Sequence, residues 1–293
     1  MLVNKFRLSS NAFDRESEEE KVLPKKVFFI SVEGNATEKE YLQQLSFYRE
    51  ELGIDSLVNI EVLQRQSSDT NSAPIQVIEL LEEYIDLRKL DEDDMIREIP
   101  LKVIETFGED KIKQFIKDSS QLNRVLRNTI NTELTKYGYF INYRKYLNKF
   151  DSSFDEFCVL IDRDTQNHSE TNMQECISYC KENNYNCYIS NPCFEFWLLL
   201  HLSDVSKEYA DKLDSIKQNA KVSSTHTFVS KEVSKRAHHG KKHIGFKTNY
   251  LPNVDKAISH AKQFPYGEEE LVDNIGCNIW LLIEKMRNYK YSE

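Results

Sequence analysis

The sequence predicts an α/β fold, a mostly parallel central sheet flanked by helices and interrupted by a large helical insertion. Three observations predict it. VFFISV at 27 to 32 and FCVLI at 157 to 161 are unbroken apolar runs, rich in β-branched and aromatic residues, as in strands buried on both faces. Each is followed by a helix-compatible stretch and a further strand-like run. Between these two units, from Pro74 to about Leu147, the pattern is helical.

Residues 1 to 25 are polar and carry the run ESEEEK, so they read as a mobile lead-in, with Pro24 marking the entry to the first strand. The fold should begin near Lys26. Gly34 permits a tight turn after VFFISV, and Thr37 with Glu40 has capping-box spacing ahead of a helix with Tyr41, Leu45 and Tyr48 on one face. NIEVLQR at 59 to 65 reads as the second strand and completes a βαβ unit. PIQVIELLEEYIDLRKL, an acidic joint at DEDD, and FGEDKIKQFIKDSSQLNRVLRNTINTEL form the helical block. The expected organisation is a lead-in over 1–25, an α/β domain over 26–70 and 150–293, and a helical insertion over 71–149.

FCVLI resumes the sheet, and a helix from Thr171 to Asn183 leads to a short strand at NCYIS. In NPCFEFWLLLHL, Ser190 or Asn191 is placed to cap and Pro192 to take the first helical position. Apolar residues then cover nearly every face, so this helix is expected at the centre of the core. Apolar residues become sparse from Lys217 to Lys242, and a mobile or partner-ordered loop is expected around 217 to 243. Helices over about 252–263 and 275–288 close the domain.

With 293 residues, 40% hydrophobic and 30% charged, the chain has an ordinary globular composition. No apolar run approaches the roughly 20 residues of a membrane span. The N-terminus is too polar for a secretory signal, which points to the cytoplasm and to no membrane partner. The six cysteines form no CxxC pair and sit in apolar stretches, as buried reduced thiols rather than a zinc site. A net charge of −9 argues against a general nucleic-acid coat, but it leaves room for a local basic groove. KEVSKRAHHGKKHIGFK meets that need with Lys231, Lys235, Arg236, Lys241, Lys242 and Lys247. Its His238, His239 and His243 fit a phosphate-binding surface better than a zinc site.

Carboxylates follow both strand runs, Glu33 after the first and Asp162 with Asp164 after the second. Strands ending in carboxylates set hard oxygen ligands at the rim where open α/β proteins place their sites. If the extended conformation continues, Asp162 and Asp164 share one side, with Arg163 opposite. That pair with one more acid suffices for magnesium or manganese, which keeps waters and substrate oxygens in its remaining positions. Glu33 supplies a third acid, or a base, if its strand neighbours the second. Glu38 stands on a first helical turn, where it serves either the helix dipole or the metal. Glu195, in an almost wholly apolar helix, either bonds the helix N-terminus or joins the site. Lys247 is either a transition-state cation or a solvated lysine.

VEGNATEKEYL at 32 to 42, VLIDRDT at 159 to 165, NPCFEFWLLLH at 191 to 201, KTNY at 247 to 250 and DNIGCNIWLLIEKM at 273 to 286 resemble the RloB-like family. That family includes the AbiLii component of an abortive-infection system. The resemblance implies a divergent Toprim domain, in which Glu33 and then Asp162 and Asp164 are the metal-binding and catalytic acids. It further implies a magnesium-dependent nuclease effector of phage defence, with RNA, transfer RNA included, favoured over DNA. The expected partner is an ATPase of the ABC-like AAA type encoded alongside. The 129 residues from Glu33 to Asp162 exceed a compact Toprim spacing, hence the insertion. Two rivals stand beside this expectation. A haloacid-dehalogenase-type phosphatase shares the strand followed by DxD, although DRDT lacks one residue of that pattern and comes late in the chain. A regulatory subunit would keep the Toprim scaffold and bind the ATPase without cutting.

Overall fold

The computed structural model describes residues 26–34, 36–63, 73–89, 96–97, 99–136, 155–238 and 244–289. The chain divides into one unit of Lys26–Glu82 with Phe154–Glu293 and another that contains Glu83–Ser153. The boundary falls inside the helix Pro74–Lys89, so its first half belongs to the sheet-bearing unit.

Strands β1 (Lys26–Val32), β2 (Val58–Val62), β3 (Glu156–Asp162), β4 (Asn186–Asn191) and β5 (Gly276–Cys277) form one sheet in the order β2-β1-β3-β4-β5. The first four are parallel, and β5 runs antiparallel to β4. Val32 pairs with Leu160, and Asp162 with Ser190. The chain leaves β1 toward β2 and leaves β3 toward β4, in opposite directions across the sheet. The carboxyl ends of β1 and β3 therefore flank a topological switch point, where such sheets open a crevice.

Alternate residues of the strands serve two cores. Phe28, Ile30, Val32, Cys158 and Leu160 pack with Tyr41, Leu42 and Leu45 of the helix Thr37–Phe47 and with the helix Phe194–Leu202. On the other face, Ser31 Oγ donates to the Val77 carbonyl at 2.6 Å, and Cys187 hydrogen-bonds Cys180 of the helix Glu170–Glu182. Burial of both faces leaves little room for polar side chains, Ser31 with its bond to Val77 excepted, which is why β1 and β3 read as nearly continuous apolar runs. All six cysteines are buried and free of disulfides.

The Phe194–Leu202 helix is buried on nearly every side, as expected. Its anchor is Tyr41, fully buried, whose ring meets those of Phe194, Trp197, His201, Phe246 and Tyr250 at centroid distances of 5.1–6.4 Å. The His201 Nδ1–H donates to the Trp197 carbonyl at 2.9 Å, which leaves Nε2 to accept from the Tyr41 hydroxyl at 3.0 Å. Burial pushes the His201 pKa down to about 3, so the ring stays neutral.

Several local expectations give way. Ala36, not Thr37, precedes the first helix, and no side chain caps it. The Glu40 carboxylate is taken by the Ile244 N–H instead. Pro192 follows a cis peptide bond and stands outside its helix, because extended Cys193 is the cap residue. Ser190 Oγ donates to the Cys193 carbonyl and Asn191 Nδ2 to that of Leu271, so neither side chain caps. The second strand ends at Val62, and the final helix starts at Ile279, because Gly276–Cys277 pairs with β4. The expected loop from 217 is instead ordered through His238, with the helix Phe228–Arg236 capped reciprocally by Thr227 and Ser230. Val229 and Val233 form a stripe too narrow to stand out from its basic background, yet both are buried. Residues 1–25 and 239–243 lie outside the described set.

In the other unit, the helices Leu101–Phe107, Glu109–Asp118 and Arg124–Lys136 enclose a core that includes Val103, Ile112, Phe115, Ile130 and Leu134. Gly108, at φ +85°, makes the turn between the first two. Among the described residues no helix is long and apolar enough to cross a membrane.

Replacing Tyr41 by Phe removes the donor to a buried imidazole nitrogen. The expected loss is about 1–3 kcal/mol of unfolding free energy, measured by urea denaturation. A change within error would show that the Tyr41–His201 bond contributes nothing net.

Candidate functional site

Glu33 follows the last residue of β1, and Asp162 is the last residue of β3. Since β1 and β3 are neighbours, the condition for Glu33 to join the second acidic cluster is met. Glu33 Oε2 accepts the Asp162 N–H at 3.2 Å. Its Oε1 lies 3.4 Å from His168 Nε2, a long hydrogen bond from a buried ring. The Asp162 carboxylate accepts from the N–H of Phe194, the first residue of its helix.

Glu38 and Glu195 reach the same cleft from two helices. Glu38 is buried on the first turn of Thr37–Phe47 and takes the Gly34 N–H. A Cβ on Gly34 would meet the Glu38 carboxylate, so a larger residue there would displace that side chain. Glu195, on the first turn of Phe194–Leu202, hydrogen-bonds the Cys193 thiol.

Glu38 and Asp162 each feel the charges of Glu33 and Glu195. Burial, and then the charges of Glu195 and Glu33, push the Glu38 pKa up to about 7. Asp162 is raised well above the usual carboxylate range by burial, and then by Glu38, Glu33 and Glu195. The strongest charges on both are thus other carboxylates. Such a cleft offers hard oxygen donors and a field that a divalent cation would relieve. Among the described residues, no three His, Cys, Asp or Glu side chains are drawn into a closed metal-holding group. Magnesium does not require one, since it binds through one or two carboxylates and keeps several waters. At the end of β4, buried Asn191 Oδ1 is without a hydrogen-bond partner, next to the Asp162–Ser190 row.

Asp164 departs from the extended continuation. The strand ends at Asp162 and Asp164 turns to φ +24°, so the two aspartates do not share a strand face. Asp164 Oδ1 accepts the Gln166 N–H at 3.2 Å and Oδ2 the Asn167 amide at 2.6 Å. Sequence reasoning missed His168, although D-x-x-N-H from Asp164 carries the signature of a side-chain-closed turn.

The proposed basic surface is only partly available. Lys235 pairs with Glu232, and Arg236 bridges Glu208 and Glu232 at 3.2 Å each while lying over the Tyr209 ring. Arg236 and His238 also line a cleft of about 400 Å³ with His201, Lys256 and His260, at the C-terminal end of the Phe194–Leu202 helix. Lys247 is exposed on the short helix Phe246–Asn249. Lys241, Lys242, His239 and His243 lie outside the described residues.

A family model described as RloB-like protein matches residues 28–286, and the chain belongs to the RloB-like family. No curated protein and no solved structure matches the chain. Membership of this family is consistent with a defence-associated protein.

A raised carboxylate pKa opposes folding above its unfolded value. The penalty is absent below about pH 4.5 and grows as pH rises to about 7. Glu38→Gln keeps an acceptor for the Gly34 N–H but removes the charge. In metal-free buffer it should gain about 3 kcal/mol of stability near pH 8 and under about 1 kcal/mol near pH 5. A pH-independent difference would dissociate Glu38 from the carboxylate field.

Proposed function

We propose that the chain is a nuclease effector of phage defence, hydrolysing phosphodiester bonds at a divalent-metal site on a Toprim-like scaffold. The observation that carries this reading is the contact of Glu33 with Asp162 at the switch point of a parallel sheet, where Glu38, Glu33 and Glu195 add their charges to burial in raising Asp162. Glu33 and Asp162 are the ligands, because main-chain N–H groups fix both while leaving lone pairs free. Bound there, magnesium or manganese would polarise the scissile phosphate and lower the pKa of the attacking water. Glu38, whose titration feels the charges of Glu195 and Glu33, is the base that accepts that water's proton at its carboxylate. Glu195 adds negative charge that favours cation loading. Lys247 and the basic residues around it grip the substrate backbone, with RNA favoured over DNA on the family resemblance. The same resemblance supports an ABC-like AAA-type ATPase as partner.

A second reading keeps the scaffold and its ATPase partner but assigns no cutting. The commitment of Lys235 and Arg236 to Glu232 and Glu208, which takes two of the expected cations from a polyanion, favours it.

The test uses purified chain on RNA and DNA pools with magnesium or manganese, with and without the ATPase. Asp162→Asn and Glu33→Gln should each lower metal-dependent cleavage at least about a hundredfold, the rate equivalent of several kcal/mol of lost charge stabilisation. Cleavage by Asp162→Asn at the parental rate would refute the site. Stable ATPase binding with no cleavage in any combination would select the second reading.

A further inference from the structure

The turn after β3 is braced from two directions. Arg163, buried although charged, donates from Nε to the Val272 carbonyl at 2.6 Å and from a terminal nitrogen to the His168 carbonyl at 2.8 Å. Asp164 holds the turn from within. Its carbonyl accepts the N–H groups of Asn167 and His168 at 2.9 Å each, and its own N–H reaches the Pro192 carbonyl at 2.9 Å. Both carboxylate oxygens are occupied locally, by the Gln166 N–H and the Asn167 amide. The product of these bonds is a fixed, buried His168 whose Nε2 faces Glu33 Oε1.

We propose that Asp164 and His168 are positioning residues for Glu33 rather than members of the metal-binding set. Asp164 shapes the turn, and His168 holds the Glu33 carboxylate through an Nε2–H to Oε1 hydrogen bond. With Oε2 receiving the Asp162 N–H, each Glu33 oxygen then has one donor, and the rotation of the carboxylate is set. Groups that orient ligands in this way contribute about 10–100-fold to metal affinity. The inference rests on the metal-site reading above and divides the DxD pair: Asp162 faces the cation, and Asp164 acts through the turn.

Asparagine separates the two roles at position 164. It tolerates positive φ and its side-chain oxygen closes the same turn, but it lacks the charge of a ligand. Manganese affinity of the full-length chain, measured by calorimetry beside the cleavage rate, gives the readout. Asp164→Asn should keep affinity within about threefold, whereas Asp164→Ala and His168→Ala should weaken it about 10–100-fold. His168→Gln restores a donor and should recover part of the loss, which a purely space-filling ring would not permit. Circular dichroism separates these effects from unfolding, and the Asn and Gln variants remain decisive if either alanine variant misfolds. Asp164→Asn losing manganese as fully as Asp162→Asn would make Asp164 a ligand and overturn the proposal. So would a His168→Gln protein no tighter than a folded His168→Ala, or full affinity in His168→Ala. Parental manganese affinity in Asp162→Asn would instead overturn the underlying site.

Discussion

The parallel pairing of β1 with β3 is the constraint on which the rest depends. Glu33 and Asp162 are 129 residues apart in sequence, yet the in-register pair Val32–Leu160 brings the Asp162 N–H within hydrogen-bond reach of the Glu33 carboxylate. The opposite departures of the chain from these two strands keep the rim above them open. Burial of acids in that crevice, and then their like charges, oppose folding, in keeping with the raised pKa values of Glu38 and Asp162. The sheet, buried on both faces, supplies the counterweight. A site of this kind is therefore tolerated only on a rim continuous with a large apolar core.

The same core also sets the geometry of the crevice. Glu38 precedes Tyr41 by three residues on one helix, and Glu195 precedes Trp197 by two on another. Tyr41 meets Trp197 and Phe194 edge to face, locking the two helices together just behind their acidic first turns. Phe194 contributes twice, with its ring to that cluster and its N–H to Asp162. The positive end of an apolar helix is thus aimed at an aspartate, opposing in part the burial that raises its pKa. Displacing Tyr41 would loosen both acid-bearing turns at once, so packing and site geometry are one property here.

Strand positions are legible in the sequence because burial on both faces leaves an unmistakable composition. The β1 and β3 runs stand out, and the carboxylates at their ends follow from them. Strand order is not legible from local pattern, since it is a consequence of which edges pair, and the closeness of Glu33 to Asp162 depends on it. Turn chemistry misleads where two structures share a signature. Asp164 continues an alternating strand pattern and equally begins a side-chain-closed turn, and the chain adopts the second. Ser190-Asn191-Pro192 likewise reads as a helix start, but Ser190 donates to the nearby Cys193 carbonyl and Asn191 to the distant Leu271 carbonyl. The basic segment hides a helix because only Val229 and Val233 mark its buried face, and it hides its own acids. Glu232 and Glu208 absorb Lys235 and Arg236, a pairing across 28 residues for the second acid that no local window displays.

That absorption bears on how a chain of net charge −9 would approach a polyanion. Attraction must be local, and two of the expected cations are already committed to carboxylates. The Asn249 side chain accepts the His238 N–H and donates to the carbonyls of His238 and Ile244. Lys247 stands two residues away from Asn249 on the same short helix. The four carboxylates of the crevice repel a phosphodiester as strongly as they favour a cation. On the proposed reading, metal loading therefore comes before productive substrate approach as well as before chemistry. Until the crevice holds a cation, the backbone that the basic segment attracts is turned away from the acids that would act on it.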